Sequence, residues 1–101
     1  MYVSRLVFNT VPGKGPEACE QLKTLAHFIE DKCGTRPRIL RTHFASMGEG
    51  DLMLEQDCDT MDHLEMQIKK VAQSQDFQSW SEGFSPLLLR APKREVLEIL
   101  Q

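Results

Sequence analysis

The sequence has few of the features that mark secreted or membrane-embedded proteins. Its 101 residues contain three cysteines, Cys19, Cys33 and Cys58, which form no CxxC pair and leave one thiol unpaired in any monomer. Reduced thiols of this kind predict a cytoplasmic location. No apolar run approaches the ~20 residues of a membrane span, and the opening MYVSRLVFN lacks the layout of a signal peptide. We therefore expect no membrane partner.

Positive charge is also scarce. Twelve Lys and Arg residues face fifteen Asp and Glu residues, which gives a net charge of −3. Nucleic-acid-binding domains usually concentrate basic residues on one surface, so the composition argues against a nucleic-acid partner. The length fits one domain, residues 1–101, and 41% hydrophobic with 27% charged residues is ordinary for a globular protein.

The chain is organised around Arg38–Gln56, which we interpret as two strands joined by a tight turn at Gly48-Glu49-Gly50. A strand at Tyr2–Val11 and a helix from Pro16 to about Cys33 precede it. A second helical region and a last strand, Arg94–Leu100, follow. The order predicts a βαββαβ domain.

The first helix has the clearest pattern. Pro16 suits the first helical turn, and Gly34 follows as a C-cap. The apolar residues between them fall on one helical stripe, namely Ala18, Leu22, Leu25, Ala26, Ile29 and Cys33. This stripe predicts a helix with one buried face.

The second helical region begins after the N-cap candidates Asp57-Cys58-Asp59-Thr60. Apolar residues recur at helical spacing, first as Met61, Leu64, Ile68, Val71 and Ala72 and then as Phe77, Trp80, Phe84, Leu87 and Leu88. One kinked helix and two consecutive helices both fit, and Asp76 is a candidate cap for a second helix. Pro86 predicts an end or kink near Ser85, and Trp80 and Phe84 are predicted to lie in the core.

Strand alternation predicts two unlike faces of a four-stranded antiparallel sheet. The set expected under both helices is Leu6, Phe8, Leu40, Phe44, Leu52 and Leu54. The opposite face is expected to carry Val3, Val7, Ile39, Ala45, Met53 and Val96. The predicted fold class is therefore α+β, ferredoxin-like, with both helices on one face of the sheet. An uncovered apolar sheet face usually marks a partner surface, so a second copy is predicted on the other face.

Three segments carry a resemblance to a known group: RLVFNTVPGKG, EACEQLKTLAHFI and SQDFQSWSEGFSPLL. They are similar to the dimeric α/β-barrel superfamily, in particular its antibiotic-biosynthesis-monooxygenase-like and NIPSNAP-like branches. The resemblance implies a homodimer whose paired sheets enclose a cleft or barrel. Members of the superfamily include cofactor-free monooxygenases, haem-degrading enzymes and many proteins without an assigned activity.

The resemblance does not extend to haem chemistry. Haem-degrading members use an asparagine on the first strand, a tryptophan near the end of the third strand and a histidine late in the second helix. Asn9 matches the first position, but LMLEQD has no tryptophan and QSWSEGF has no histidine. We therefore predict no cofactor. The three histidines His27, His43 and His63 show no metal-ligand spacing, so no metal site is predicted either.

The candidate ligand-binding residues lie on the mixed strand face: Arg5, Asn9, Arg41, His43 and Glu55. If that face lines a cavity, His43 is suited to acid–base chemistry and an arginine to holding an anionic oxygen. The alternative is an ion-pair network at a dimer interface, such as Arg41–Glu55, because buried charges need partners whatever their purpose. Cys58 is flanked by two aspartates and is interpreted as structural or incidental.

The sequence thus predicts a homodimer that binds a small organic ligand in a cleft between or beside the sheets. Two alternatives stay open: a cofactor-independent monooxygenase of the antibiotic-biosynthesis type, and a purely structural dimer. No catalytic residue is assigned, because a shared fold does not determine the chemistry of a site.

Overall fold

A computed structural model describes all residues, 1–101. It contains four strands, three α-helices and one short 3-10 turn. In chain order these are β1 (Tyr2–Phe8), α1 (Gly15–Cys33), β2 (Arg38–Arg41), β3 (Leu52–Cys58), α2 (Met61–Ala72), α3 (Gln75–Phe84), the 3-10 turn (Ser85–Leu87) and β4 (Lys93–Glu98).

The four strands form one antiparallel sheet in the order β2-β3-β1-β4. β1 is central and pairs with β3 through Leu6↔Leu54 and with β4 through Leu6↔Arg94. This is the ferredoxin-like α+β fold that the element order predicts, with the second helix of the plan divided into α2 and α3.

Helix α1 follows the predicted pattern. Pro16 lies in its first turn, and Gly34 takes the left-handed conformation at φ 73°, where its N–H donates to the Glu30 carbonyl. Ala18, Leu22 and Leu25 are buried, with exposed fractions of 0 to 3%. The cap residues and the apolar stripe thus end and orient the helix together.

The second helical region consists of two helices rather than one kinked helix. Thr60 caps α2 by accepting a hydrogen bond from the His63 N–H. The prediction that Asp76 caps the next helix was wrong, because Ser74 is the cap and its Oγ accepts from the N–H groups of Asp76 and Phe77. Asp76 instead lies in the first turn, where its charge suits the helix dipole.

The core lies between the helices and one face of the sheet. Its buried members are Phe8, Ala18, Leu22, Leu25, Ile29, Leu52, Leu54, Val71, Phe84 and Leu87. Trp80 packs against this cluster and donates its Nε1–H to the Gln21 carbonyl at 2.8 Å, so the core positions predicted for Trp80 and Phe84 are confirmed. α3 ends at Phe84, one residue before the 3-10 turn that contains Pro86. None of the helices combines the length and apolar character needed to span a bilayer.

The tight turn predicted at Gly48-Glu49-Gly50 is only part of a longer connection. β2 contains four residues and stops at Arg41, so residues 42–51 form a loop whose ends are joined by Thr42 N–H to the Asp51 carbonyl at 3.0 Å. Phe44 lies in this loop and is 95% exposed. Its predicted place under the helices was wrong, because the strand that would have carried it ends too early.

In β2 and in β4, the residues predicted to lie on each face of the sheet were also wrong, because the alignment of each strand was shifted by one residue. Ile39, not Leu40, pairs with Leu54, so Ile39 faces the helices and Leu40 lies on the opposite face. Val96 pairs with Ser4 and lies on the helix side of the sheet, while its neighbour Leu97 occupies the other face. Since strand side chains alternate with a period of two, an error of one position in alignment reverses a whole strand.

At Gly50, the loop of residues 42–51 packs closely onto β1. A Cβ atom at Gly50 would overlap the Val7 Cγ1 atom and approach the Phe8 carbonyl oxygen to 3.0 Å. We expect Gly50→Ala to lower the free energy of unfolding by about 1–3 kcal/mol, because overpacking forces neighbours to move. Gly83→Ala is the matched control: Gly83 lies within α3 with nothing within 4 Å of the new methyl group, and alanine there is expected to stabilise by about 0.5–1 kcal/mol. Urea unfolding of both variants checks the pair, and equal effects would contradict the close approach.

Candidate functional site

The sheet face opposite the helices carries a network of ionised side chains centred on Glu55. Its carboxylate is 8% exposed and accepts hydrogen bonds from Arg5 at 2.7 and 2.9 Å and from Arg38 at 2.7 Å. Arg38 also pairs with Asp57 at 3.2 Å, and Arg5 lies 3.5 Å from Glu95. Glu55 thus has two cations, each shared with a more exposed carboxylate.

The two arginines keep Glu55 charged. Burial raises the pKa of the Glu55 carboxyl, but the hydrogen bonds from Arg5 and Arg38 outweigh it, and the pKa lies below its usual value. The Arg38 pKa is raised, chiefly by the same hydrogen bond to Glu55. An ionised Glu55 is therefore the form that this arrangement stabilises near neutral pH.

The five residues predicted as a site divide into separate groups. The structure brings together only Arg5 and Glu55. Asn9 follows β1 and donates from Nδ2 to the Glu49 carbonyl at 3.3 Å, on the loop of residues 42–51. The Arg41–Glu55 pair is replaced by Arg38–Glu55, because Arg41 pairs in register with Leu52 and faces the helix side. His43 lies exposed in the loop.

An apolar cavity of about 120 Å³ lies on the other face, between the sheet and the helices. Its floor comes from β1, β3 and β4, and its roof from α1, α2 and the start of α3. Eight of its fourteen lining residues are hydrophobic. The lining set is Ser4, Leu6, Leu25, Ile29, Pro37, Leu54, Glu55, Gln56, Gln67, Ile68, Val71, Ala72, Phe77 and Arg94.

The cavity exists because the sheet becomes small and polar beneath α2. Ser4 and Gln56 pair across β1 and β3 and are 2% and 7% exposed. They continue the face that Leu6 and Leu54 begin, but a serine leaves space where a leucine would fill it. Gln67 of α2 donates from Nε2 to Gln56 Oε1 at 2.8 Å, so a polar pair rather than apolar packing joins this part of α2 to the sheet.

Arg94 brings a positive charge to the same cavity. Its Nη1 donates to the Ser4 hydroxyl at 2.6 Å. The residue as a whole is exposed on the edge strand β4, yet its guanidinium reaches the hydroxyl of Ser4, a residue that is 2% exposed, so Arg94 lies at the outer end of the cavity. Burial lowers the Arg94 pKa. Arg94 makes no ion pair with any carboxylate of the chain.

Sequence reasoning missed four of the five polar residues that line this cavity: Ser4, Gln56, Gln67 and Arg94. A signal for two of them was present, because Ser4 has the parity of Leu6 and Phe8, and Gln56 has the parity of Leu52 and Leu54. Polar residues at the end of an otherwise apolar face indicate either a satisfied core contact or a site. Arg94 becomes assignable only through the pairing Leu6↔Arg94, which depends on the register between β1 and β4.

The thiols and the potential metal ligands contribute little to either face. No three His, Cys, Asp or Glu side chains are placed to hold a metal ion. Cys58 lies near the Tyr2 carbonyl, with its Sγ at 3.7 Å. Burial and then the Asp57 charge raise the Cys58 pKa, which disfavours the reactive thiolate and agrees with the structural interpretation.

Comparison with solved structures identifies the fold. A NIPSNAP domain protein from Burkholderia xenovorans superposes with a TM-score of 0.80 at 17% identity, covering 98% of this chain and 94% of that one. A NIPSNAP family protein from Agrobacterium tumefaciens gives 0.78 at 15% identity, with 96% and 90% covered. An antibiotic biosynthesis monooxygenase-like protein from Nitrosomonas europaea gives 0.73 at 14% identity over 100% of both chains.

These similarities establish a shared fold over nearly the whole chain. They confirm the predicted resemblance to the NIPSNAP-like and antibiotic-biosynthesis-monooxygenase-like branches at the level of architecture. No family model matches the sequence, and no curated protein matches it. The chemistry of this protein therefore has to be argued from its own residues.

Proposed function

We propose that this protein is a homodimer that binds a small organic ligand in the cavity between the sheet and the helices. The cavity itself carries the proposal. The helix side of the sheet leaves a partly open space of about 120 Å³ among mainly apolar side chains, with a few polar groups in its lining. That combination of an apolar wall and a few placed polar groups is typical of ligand sites.

The dimer is supported by the composition of the opposite sheet face. Val3, Val7 and Met53 are half-buried, and Leu40 and Leu97 are 37% and 41% exposed. They surround the Glu55 network on a surface that no helix covers. A second copy related by a two-fold axis would cover both the apolar residues and the ion pairs.

The size of the protein in solution tests the dimer. We expect sedimentation velocity to give twice the chain mass of 11.6 kDa, and native mass spectrometry to give the same dimer. A reproducible extra mass on the dimer would identify the ligand class directly. A well-folded monomer at micromolar concentration would contradict the dimer.

Binding of an apolar probe tests the cavity. 4-Fluorotoluene, followed by ¹⁹F NMR, is expected to bind the wild type, and Ile68→Phe is expected to abolish binding because the larger ring occupies the cavity that Ile68 lines. Met66→Phe is the matched control, since Met66 is on the same helix and 68% exposed. Failure of the wild type to bind, or equal binding by both variants, would contradict the cavity as a site.

A cofactor-independent monooxygenase is the alternative, because the Nitrosomonas europaea protein of the same fold is described as an antibiotic biosynthesis monooxygenase. Oxygen uptake that requires an added substrate and is lost in Ile68→Phe would favour the enzyme over a binding protein. A purely structural dimer would show neither uptake nor probe binding.

A further inference from the structure

We infer that the ligand of the cavity is a small organic acid of about one ring, whose carboxylate pairs with Arg94 while its apolar body lies between the sheet and α2. This deepens the proposed function and rests on the cavity being a binding site. The inference combines three observations: the size of the cavity, the apolar character of its inner wall, and a guanidinium at its outer end that has no carboxylate partner.

The volume of the cavity suits a small molecule. A cavity of about 120 Å³ is smaller than the roughly 300–1,000 Å³ of sites for drug-sized ligands. It is close to the ~150 Å³ of an engineered cavity that accepts one benzene ring. Leu6, Leu54, Ile68, Val71 and Phe77 line it, which suits an aromatic ring or a short branched alkyl group.

The positive charge of Arg94 determines which end group the ligand carries. Glu55 also borders the cavity, but its carboxylate is held by Arg5 and Arg38. Arg94 is thus the cation of the cavity, and its guanidinium donates one hydrogen bond, to Ser4 Oγ. A guanidinium has five N–H donors in a planar fork that matches a carboxylate. The remaining donors are available to an anionic group entering from the edge of the sheet.

The Gln56–Gln67 pair adds a second polar contact within the cavity. One Gln67 N–H donates to Gln56 Oε1, which leaves the Gln56 amide N–H groups and the Gln67 carbonyl oxygen free of side-chain partners in the structure. A hydroxyl or carbonyl substituent on the ring of the acid would have both a donor and an acceptor within the same cavity.

A comparison of two isosteric probes tests the inference. We expect 4-fluorobenzoate to bind the wild type more tightly than 4-fluorobenzamide, measured by ¹⁹F NMR and by fluorescence of Trp80. Trp80 is the one tryptophan of the chain and stacks on Phe77 with centroids 5.8 Å apart. Arg94→Gln is expected to weaken benzoate binding by about 10- to 100-fold, as loss of a charged hydrogen bond does, and to leave benzamide binding nearly unchanged.

Two variants make the comparison specific. Lys93→Gln removes the same charge one residue away, but Lys93 pairs with Val7 and faces the opposite side of the sheet, so benzoate binding is expected to stay at the wild-type level. Arg94→Lys keeps the charge without the planar fork and is expected to retain part of the preference for the acid. Thermal unfolding of each variant verifies that it is folded.

The outcomes separate this inference from the proposal beneath it. Preference for the acid that disappears in Arg94→Gln supports the inference. Equal binding of benzoate and benzamide, or an Arg94→Gln variant that keeps the preference, overturns it while 4-fluorotoluene binding still supports the cavity. Failure of all three probes to bind the wild type overturns both.

Discussion

Phe8→Ala is expected to lower the free energy of unfolding by about 3–5 kcal/mol, as the loss of a buried aromatic ring does. Phe8 is 2% exposed at the end of β1 and meets Phe84 edge to face, with ring centroids 5.4 Å apart. The change removes contacts of the sheet with the end of α3 and leaves a void that the surrounding helices fill only partly. Urea unfolding followed by circular dichroism measures the loss, which is a large part of the ~5–15 kcal/mol typical of small domains.

Phe44→Ala is the matched control for this prediction. The alternation pattern placed both phenylalanines on the same apolar face, but Phe44 is 95% exposed in the loop of residues 42–51. Its truncation is expected to change the free energy of unfolding by less than about 0.5 kcal/mol. Similar costs for the two substitutions would contradict the position that the structure gives to Phe44.

The contrast between Phe8 and Phe44 shows which parts of the fold the sequence could predict. Residues at the helix ends predicted the positions of the helices. Pro16 and Gly34 mark the two ends of α1, Thr60 caps the start of α2, and Pro86 follows the end of α3. Each of these effects acts within a few residues of its cause. The bounds of α1, the start of α2 and the division of the sheet into four strands were therefore readable without any tertiary information, whereas the boundary between α2 and α3 was left open.

Strand faces were less readable because they depend on pairing across the sheet. β2 contains only four residues, too few for alternation to show which side is buried, and Ile39 and Leu40 are equally apolar. Pairing with Leu54 assigns Ile39 to the core. The face of Val96 was mispredicted for the same reason: its pairing with Ser4 places it on the helix face. Register is a property of two strands, so one strand's sequence does not determine it.

The candidate site illustrates the same limit. Arg5 and Glu55 have matching parities on adjacent strands, and the structure pairs them directly. Arg41 and His43 were grouped with them on the assumption that the odd-numbered residues of a first hairpin strand running past residue 43 share the face of Glu55. The register instead pairs Arg38 with Glu55 and turns Arg41 to the helix side, and β2 ends before His43. The cavity was not predicted at all, because empty space results from what neighbouring residues fail to fill.

Glu55→Gln is the second substitution with a large expected effect, and its size depends on whether the sheet face is covered. In a monomer Arg5 and Arg38 keep 30% and 49% of their side chains exposed. Water would then solvate them, and the cost is expected to be about 2 kcal/mol, the value of a charged hydrogen bond. If a second copy covers this face, two guanidinium groups lose their partner out of water, and the cost is expected to rise to about 3–5 kcal/mol.

Two comparisons isolate this effect. Glu95→Gln removes a carboxylate that is 50% exposed and 3.5 Å from Arg5, and it is expected to cost less than about 1 kcal/mol. Urea unfolding at protein concentrations above and below the dissociation constant of the dimer then gives the two costs of Glu55→Gln separately. A cost that does not depend on protein concentration would contradict burial of the network between two copies.

The pH dependence of the same substitution follows from the direction of the Glu55 pKa shift. Because Arg5 and Arg38 lower this pKa in the folded state, the folded protein binds fewer protons than the unfolded chain between the two pKa values. The stabilisation is therefore fully present above the unfolded value of about 4.5 and is lost as the pH falls through the lower, folded value. Wild type and Glu55→Gln are expected to differ most at neutral pH and to converge as the pH falls below about 4.5 and through the lower, folded value. A difference that grew on acidification would mean that burial, rather than the two arginines, controls Glu55.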